Sequence, residues 1–180
     1  MNEVQLIRNQ LAVEREHAGA VADACAQART DGTPLADFRQ ACVDYLVCVL
    51  AWFEERDQRL GDFARARLAP GDAVRHALEE ALARPGRSRE TLERLSAAVA
   101  GTAADCGGRA AQESWQEFAQ YFNRRWCARR DAIDVLLASH MRTADWRTVA
   151  GIDADSILEE RQRYARVGAR LPPGLTLTQR

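Results

Sequence analysis

Apolar residues recur at intervals of three and four along nearly the whole chain, and no segment shows the alternation of a β-strand. Stretches rich in glycine or proline (TDGTP, APGD, RPGRS, DCGG and LPPG) interrupt this pattern and mark helix ends. The predicted helices cover about residues 2–29, 34–68, 72–104, 110–141 and 153–168. The third of them is interrupted at RPGRS, so we predict that it is broken.

Short turns between long helices favour antiparallel neighbours. The sequence therefore predicts an all-α fold, an up-down four-helix bundle with a broken third helix and an added C-terminal helix. A chain of 180 residues, 47% of them hydrophobic, is long enough for one domain with a core. We place that domain at residues 1–170 and expect residues 171–180 to form a flexible tail.

The charges narrow the classes of partner. The formal net charge is −1, which argues against a globally basic nucleic-acid-binding protein. All 25 basic residues are arginines, so catalysis by a lysine amine is excluded. NRRWCARR places an aromatic ring among cations, as in a nucleic-acid patch, but acidic residues intersperse the other arginines. We therefore expect no nucleic-acid partner.

Five cysteines form no close pair, and the opening MNEVQLIRNQL lacks the pattern of a secretory leader. The longest apolar run, YLVCVLAWF, is far shorter than the ~20 residues that span a bilayer. These features predict a cytoplasmic protein without membrane association, in which the cysteines are small core residues. For Cys127 an alternative stays open, because the arginines of RRWCARR could lower its pKa and make the thiol reactive.

One stretch carries a family resemblance. His140 and Asp145, in SHMRTADW, resemble the last-helix His-x-x-x-x-Asp of hemerythrin-like proteins, and YLVCVLAWFEERDQRL resembles the second helix of that family. The resemblance implies a four-helix bundle with a non-haem di-iron centre. The chain departs from the family pattern, however, because Trp52 stands where a ligand histidine is expected and Arg56 where a ligand glutamate is expected.

The remaining candidate ligands fall into two groups. In an up-down bundle His76 and His140 come to one end, where a metal site could also include Asp145 and either Glu79 or Glu80. Glu14 and His17 have the Glu-x-x-His spacing of ferritin-like di-iron bundles but lie roughly 20 Å from that end. A second Glu-x-x-His is absent. The alternative is that His140 is a partly buried structural residue, bonded to Asp145 or to a backbone group.

The middle of the bundle should contain ion pairs. Glu14 continues the apolar stripe of the first helix, and a buried carboxylate is normally paired. Residues that lie at the same position along the bundle axis on neighbouring antiparallel helices can contact each other, and this comparison identifies two arginines as partners of the carboxylates. We predict a Glu14–Arg125 pair, and a pair of Glu54 or Asp57 with Arg129.

These inferences predict a non-catalytic helical-bundle protein that acts by binding a protein partner or by forming a homodimer, with no cofactor. The apolar residues of the last segment must be buried on the bundle or on a second chain. They are Trp146, Ile152, Ile157, Leu158 and Tyr164. The alternative is a hemerythrin-like non-haem iron protein with a reduced ligand set, used in sensing oxygen, nitric oxide or redox state, or in iron handling.

Overall fold

The computed structural model describes residues 2–28, 35–82, 90, 92–94, 96–97, 109–123, 137 and 140–177. Its helices are α1 (Glu3–Gln27), α2 (Ala36–Arg67), α3 (Ala73–Leu82), α4 (Arg109–Tyr121), α5 (Thr143–Ala150) and α6 (Ala154–Gly168). No described residue belongs to a β-strand, which confirms the all-α fold class. None of the described helices is long and apolar enough to cross a membrane.

The boundaries of α1, α2 and α6 confirm the sequence prediction closely, because their caps are local features. The side chain of Asn2 accepts a hydrogen bond from the Gln5 backbone N–H at 2.9 Å and begins α1. Asp153 begins α6 in the same way, accepting from the Ser156 N–H at 2.7 Å. The predicted breaks of the third helix and most of the predicted fourth helix beyond Asn123 lie outside the described residues.

Helix α5 was not predicted. Asp145 accepts a hydrogen bond from the Arg142 backbone N–H at 2.9 Å and so satisfies one of the free backbone donors at the start of this helix. Gly151 ends it in the left-handed conformation at φ +55°. Both signals are present in the sequence, but the eight-residue helix shows too little apolar periodicity to be recognised from the pattern alone.

Helices α1 and α2 lie at the centre of the described structure. Helix α1 packs against α2, α4, α5 and α6, and α2 also packs against α3, α5 and α6. The buried side chains form two clusters along this pair. The larger cluster includes Val21, Cys25, Phe38, Leu46, Val49, Phe53, Trp115 and Phe118. The smaller one includes Leu11, Leu60, Leu78, Leu137, Met141 and Trp146.

The C-terminal segment does not match the flexible tail expected from residue 171 onward. Leu171, Leu175 and Leu177 are partly buried and pack against the larger cluster. Their spacing of four and two residues follows neither a helix nor a long strand, so pattern analysis missed an apolar segment that lies across the bundle in irregular conformation. The segment therefore covers apolar surface as far as residue 177.

Candidate functional site

The interior contains a layer of polar side chains between the two apolar clusters. Glu14 is fully buried, and one of its carboxylate oxygens accepts a hydrogen bond from Arg56 Nη1, whose side chain is 8% exposed. Arg56 Nε donates to the Ala150 carbonyl oxygen at 2.7 Å. One guanidinium thus neutralises a buried carboxylate of α1 and satisfies a carbonyl at the end of α5.

A second carboxylate lies in the same layer. Glu160 of α6 is fully buried, and its Oε1 accepts a hydrogen bond from the Tyr45 hydroxyl at 2.7 Å. The Nδ1 atom of His17 lies 2.9 Å from the same oxygen. This arrangement joins α1, α2 and α6 through a single carboxylate oxygen. Buried polar groups with such partners fix the relative position of the helices that carry them.

Aromatic rings complete the layer. The Tyr164 ring stacks on the His17 ring, with centroids 3.8 Å apart and an angle of 11° between the planes. It also lies 5.9 Å from the Tyr45 ring. Burial, and then the nearby carboxylate of Glu160, raise the pKa of Tyr45 well above its usual value. Tyr45 therefore stays neutral and donates its proton to the hydrogen bond. We call Glu14, His17, Tyr45, Arg56, Glu160 and Tyr164 the interior polar cluster.

The structure confirms that Glu14 faces the interior, but the partner it describes is Arg56. The predicted partner Arg125 lies outside the described residues, as does Arg129, so the Glu54 or Asp57 pair stays a prediction. Folding the first predicted helix antiparallel on the second predicts that Glu14 lies level with about Leu50, and Arg56 lies 6 residues further along α2. Its side chain can still reach Glu14, because the Cα–Cβ bonds of a helix tilt toward the N-terminus and arginine is long.

At the candidate metal site of His76, Glu80, His140 and Asp145, the environment of His140 differs from the sequence prediction. His140 is exposed in a turn, so the prediction that it is partly buried is wrong. The physical reason is that the apolar stripe does not continue through His140, whose backbone N–H bonds to the Leu137 carbonyl at 2.9 Å. Asp145 caps α5 and lies 3.6 Å from Arg67. His76 and Glu80 are exposed on α3.

The interior residues that the structure describes do not form the ligand set of a di-iron centre. Among the described residues, no group of three or more His, Cys, Asp or Glu side chains could hold a metal ion. Glu14 and His17 do share the buried face of α1, but Arg56 brings a positive charge against Glu14. A cation at that carboxylate opposes the binding of a metal cation. Arg56 therefore supplies the positive charge beside Glu14.

Two of the described cysteines support the prediction of core residues. Cys25 and Cys42 are fully buried, and Cys48 is partly buried. Burial, more than the neighbouring Cys42 thiol, raises the pKa of the Cys25 thiol, which disfavours the reactive thiolate. Cys106 and Cys127 lie outside the described residues, so the reactivity of Cys127 stays a prediction.

Sequence reasoning missed three members of the interior polar cluster, namely Tyr45, Glu160 and the inward role of Arg56. Tyr45 lies on the apolar stripe of α2, three residues after Cys42 and four before Val49, so the spacing could have identified it. Glu160 and Tyr164 are four residues apart on one face of α6. No local signal distinguishes Glu160 from the neighbouring exposed Glu159 except this shared face.

The chain matches no protein-family model, no curated protein and no solved structure. The candidate site therefore stands on its own geometry.

Proposed function

We propose that this protein is a cytoplasmic interaction module that binds a protein partner or a second copy of itself and catalyses no reaction. The observation that carries the proposal is the way the interior polar cluster is arranged. Its two buried carboxylates, Glu14 and Glu160, are bonded to side chains of the same chain. Such bonds serve to align α1, α2 and α6, which suits a rigid body that presents a surface.

The exposed surface of α6 gives a second observation in support of the interaction proposal. Leu158, one of the apolar residues of the last segment, is 55% exposed on α6. Trp146, by contrast, is buried in the smaller cluster. Part of the apolar edge of the last segment is thus covered by the bundle, and part faces outward, where another chain could bury it.

Site-specific photocrosslinking in cells tests the proposal. A benzophenone amino acid at position 158 should give one discrete crosslinked product, identified by mass spectrometry as this chain or as one other protein. The same probe at His76, which is exposed on α3, is the control. Absence of any discrete product from position 158 under conditions where the probe is incorporated would contradict the proposal.

The second candidate is the hemerythrin-like iron protein with a reduced ligand set. One observation favours it, since Glu14 and His17 are both buried on one face of α1. The guanidinium of Arg56 counts against it. Protein produced in iron-replete cells and purified without chelator should contain far less than stoichiometric iron. A full complement of iron with a visible oxo-bridge absorption, lost in Glu14→Ala, would replace the interaction proposal with this one.

A further inference from the structure

Helix α6 presents an outward face whose charges are ordered along its length. Asp155 and Glu159 lie in its first half, and Arg163 and Arg166 lie in its second half. Leu158 and Gln162 lie between these four residues on the same face. Such an order is complementary to itself when a second copy of the helix runs in the opposite direction.

The two outermost charges lack an ion-pair partner within the part of the chain that the structure describes. Glu159 bonds to Arg163 at 2.8 Å within the helix, whereas no described acidic or basic side chain pairs with Asp155 or Arg166. Asp155 and Arg166 are both exposed. The helix rises by about 16 Å between them at ~1.5 Å per residue, so both can take part in one helix–helix contact.

We propose that the protein forms a symmetric homodimer through an antiparallel contact between α6 and the same helix of a second copy. The twofold axis passes between positions 160 and 161, which brings Asp155 of each copy against Arg166 of the other. The same register sets Leu158 against the aliphatic stem of Arg163 and places Glu159 opposite Gln162. This inference rests on the proposed function and names the partner and the surface.

The size of the contact sets its strength. One pair of crossing helices buries less than the ~1,200 Å² of total surface typical of stable complexes, so the dimer should be weak and reversible. The two symmetric ion pairs are exposed, so salt should weaken the association. Sedimentation equilibrium between roughly 10 μM and 1 mM covers the range expected for such a contact.

Charge-reversal variants distinguish this helix register from non-specific association. Asp155→Arg places two arginines together on both sides of the axis, and Arg166→Asp places two aspartates together. Each variant alone should dimerise about tenfold more weakly than the natural chain. An equimolar mixture of the two variants should regain dimers, because every hybrid contact again joins opposite charges.

Leu158→Ser gives an independent test that leaves the charges in place, and it too should weaken the dimer. Leu6→Ser is the matched control, because Leu6 on α1 is 51% exposed, nearly as much as Leu158, and lies outside the proposed contact. Circular dichroism verifies that each variant is folded. A chain that stays monomeric throughout, or variants that fail to recover on mixing, would overturn the homodimer.

The failures of the two proposals are distinguishable. If the natural chain stays monomeric while position 158 crosslinks to one other protein, the homodimer is wrong and the interaction function stands. If the chain dimerises as described but carries stoichiometric iron, the interaction function is wrong as the primary activity, while the α6 contact stands.

Discussion

Replacing Arg56 by methionine removes the only described positive charge that bonds to Glu14 while keeping a side chain of similar length. The Glu14 carboxylate would remain fully buried, with the Gln10 amide at 3.5 Å as its other described hydrogen-bond donor. The Ala150 carbonyl would also lose the 2.7 Å hydrogen bond from Arg56 Nε. Arg56→Met therefore leaves a buried charge and a buried carbonyl without these partners.

The expected loss in unfolding free energy of Arg56→Met follows from leaving these buried groups without partners. Removing one partner of a buried ion pair typically costs about 3–5 kcal/mol, whereas an exposed pair contributes roughly 0.2–1 kcal/mol. With a denaturant slope of about 2 kcal/mol per molar urea, the unfolding midpoint should fall by roughly 1.5–2.5 M. The loss is a large fraction of the ~5–15 kcal/mol that stabilises a typical domain, so this variant should be folded but much less stable.

The double-mutant cycle measures the coupling. Glu14→Gln should also destabilise the protein, because an uncompensated guanidinium then stays buried. Combining Glu14→Gln with Arg56→Met removes both charges and should recover part of the loss. Urea unfolding followed by circular dichroism at 222 nm gives the three differences in unfolding free energy.

The exposed pair of Glu55 and Arg59 supplies the control cycle, since it lies on the surface of α2 with a bond of the same type. Its coupling energy should stay near 0.3–0.5 kcal/mol. The reasoning is refuted if the effects of Glu14→Gln and Arg56→Met add within about 0.5 kcal/mol, or if Arg56→Met shifts the midpoint no more than the control variants.

Three further predictions address other contacts. Tyr45→Phe removes a hydrogen bond to the Glu160 carboxylate and should cost about 1.5–3 kcal/mol in urea unfolding. The pKa of Tyr45 is raised in the fold, first by burial. The contribution of Tyr45 to the free energy of unfolding is therefore complete below its usual pKa of 10.0 and is lost as the pH rises further. Tyr45→Phe should reduce this loss of stability at alkaline pH. Gly151→Ala and Gly174→Ala both force alanine to positive φ, at roughly 1–2 kcal/mol, and at Gly151 the new Cβ meets only the flexible end of the Arg59 side chain, which can move aside, so thermal melts should show losses of similar size at the two positions. The backbone N–H of Ser156 lowers the pKa of Asp153, so the stabilisation by this cap is present above the usual pKa of 3.8 and is lost as the pH falls through the lowered value. The difference in melting temperature between Asp153→Ala and the natural chain should therefore shrink below pH 4. A difference that stays constant would contradict the cap.

Helix boundaries and buried faces could be predicted because they depend on local spacing. The apolar stripe of the first helix is buried at Leu11, Ala18, Val21 and Cys25, and Glu14 lies on it. A carboxylate on an apolar stripe requires a partner for physical reasons, so the existence of an interior ion pair could be inferred from the sequence as well.

The arginine that pairs with Glu14 could not be predicted from the position of residues along the bundle axis alone. Several arginines are long enough to reach one level of the bundle, and the choice among them depends on the direction of each side chain and on the packing of α5 and α6. Arg56 is selected because the Ala150 carbonyl holds its Nε. Ala150 belongs to α5, a helix that the periodicity did not reveal, so this selecting contact was not available to pattern analysis.

His140 illustrates the opposite error. His140 lies four residues after Leu136, a spacing that would continue the apolar stripe of the predicted fourth helix, but a helix can end within a turn of its last apolar residue. The structure places His140 in an exposed turn, two residues before the cap of α5. The motif alone therefore did not reveal that this histidine lies in an exposed turn.

The two proposals depend on one property of α6, namely how few of its residues the bundle covers. Glu160 and Val167 are its only fully buried residues, and both lie on one side of the helix. Apolar burial, here of Val167 and in part of Tyr164, docks the helix but is non-directional. The hydrogen bond that the Tyr45 hydroxyl donates to Glu160, and the contact of His17 Nδ1 with the same oxygen, add directional contacts. Directional contacts fix the rotation of α6 about its own axis, and this rotation determines that Asp155, Leu158 and Arg166 face outward together. The polar interior and the charged outer face are thus two consequences of one constraint, and a change in Glu160 should disturb self-association even though Glu160 is buried away from the contact.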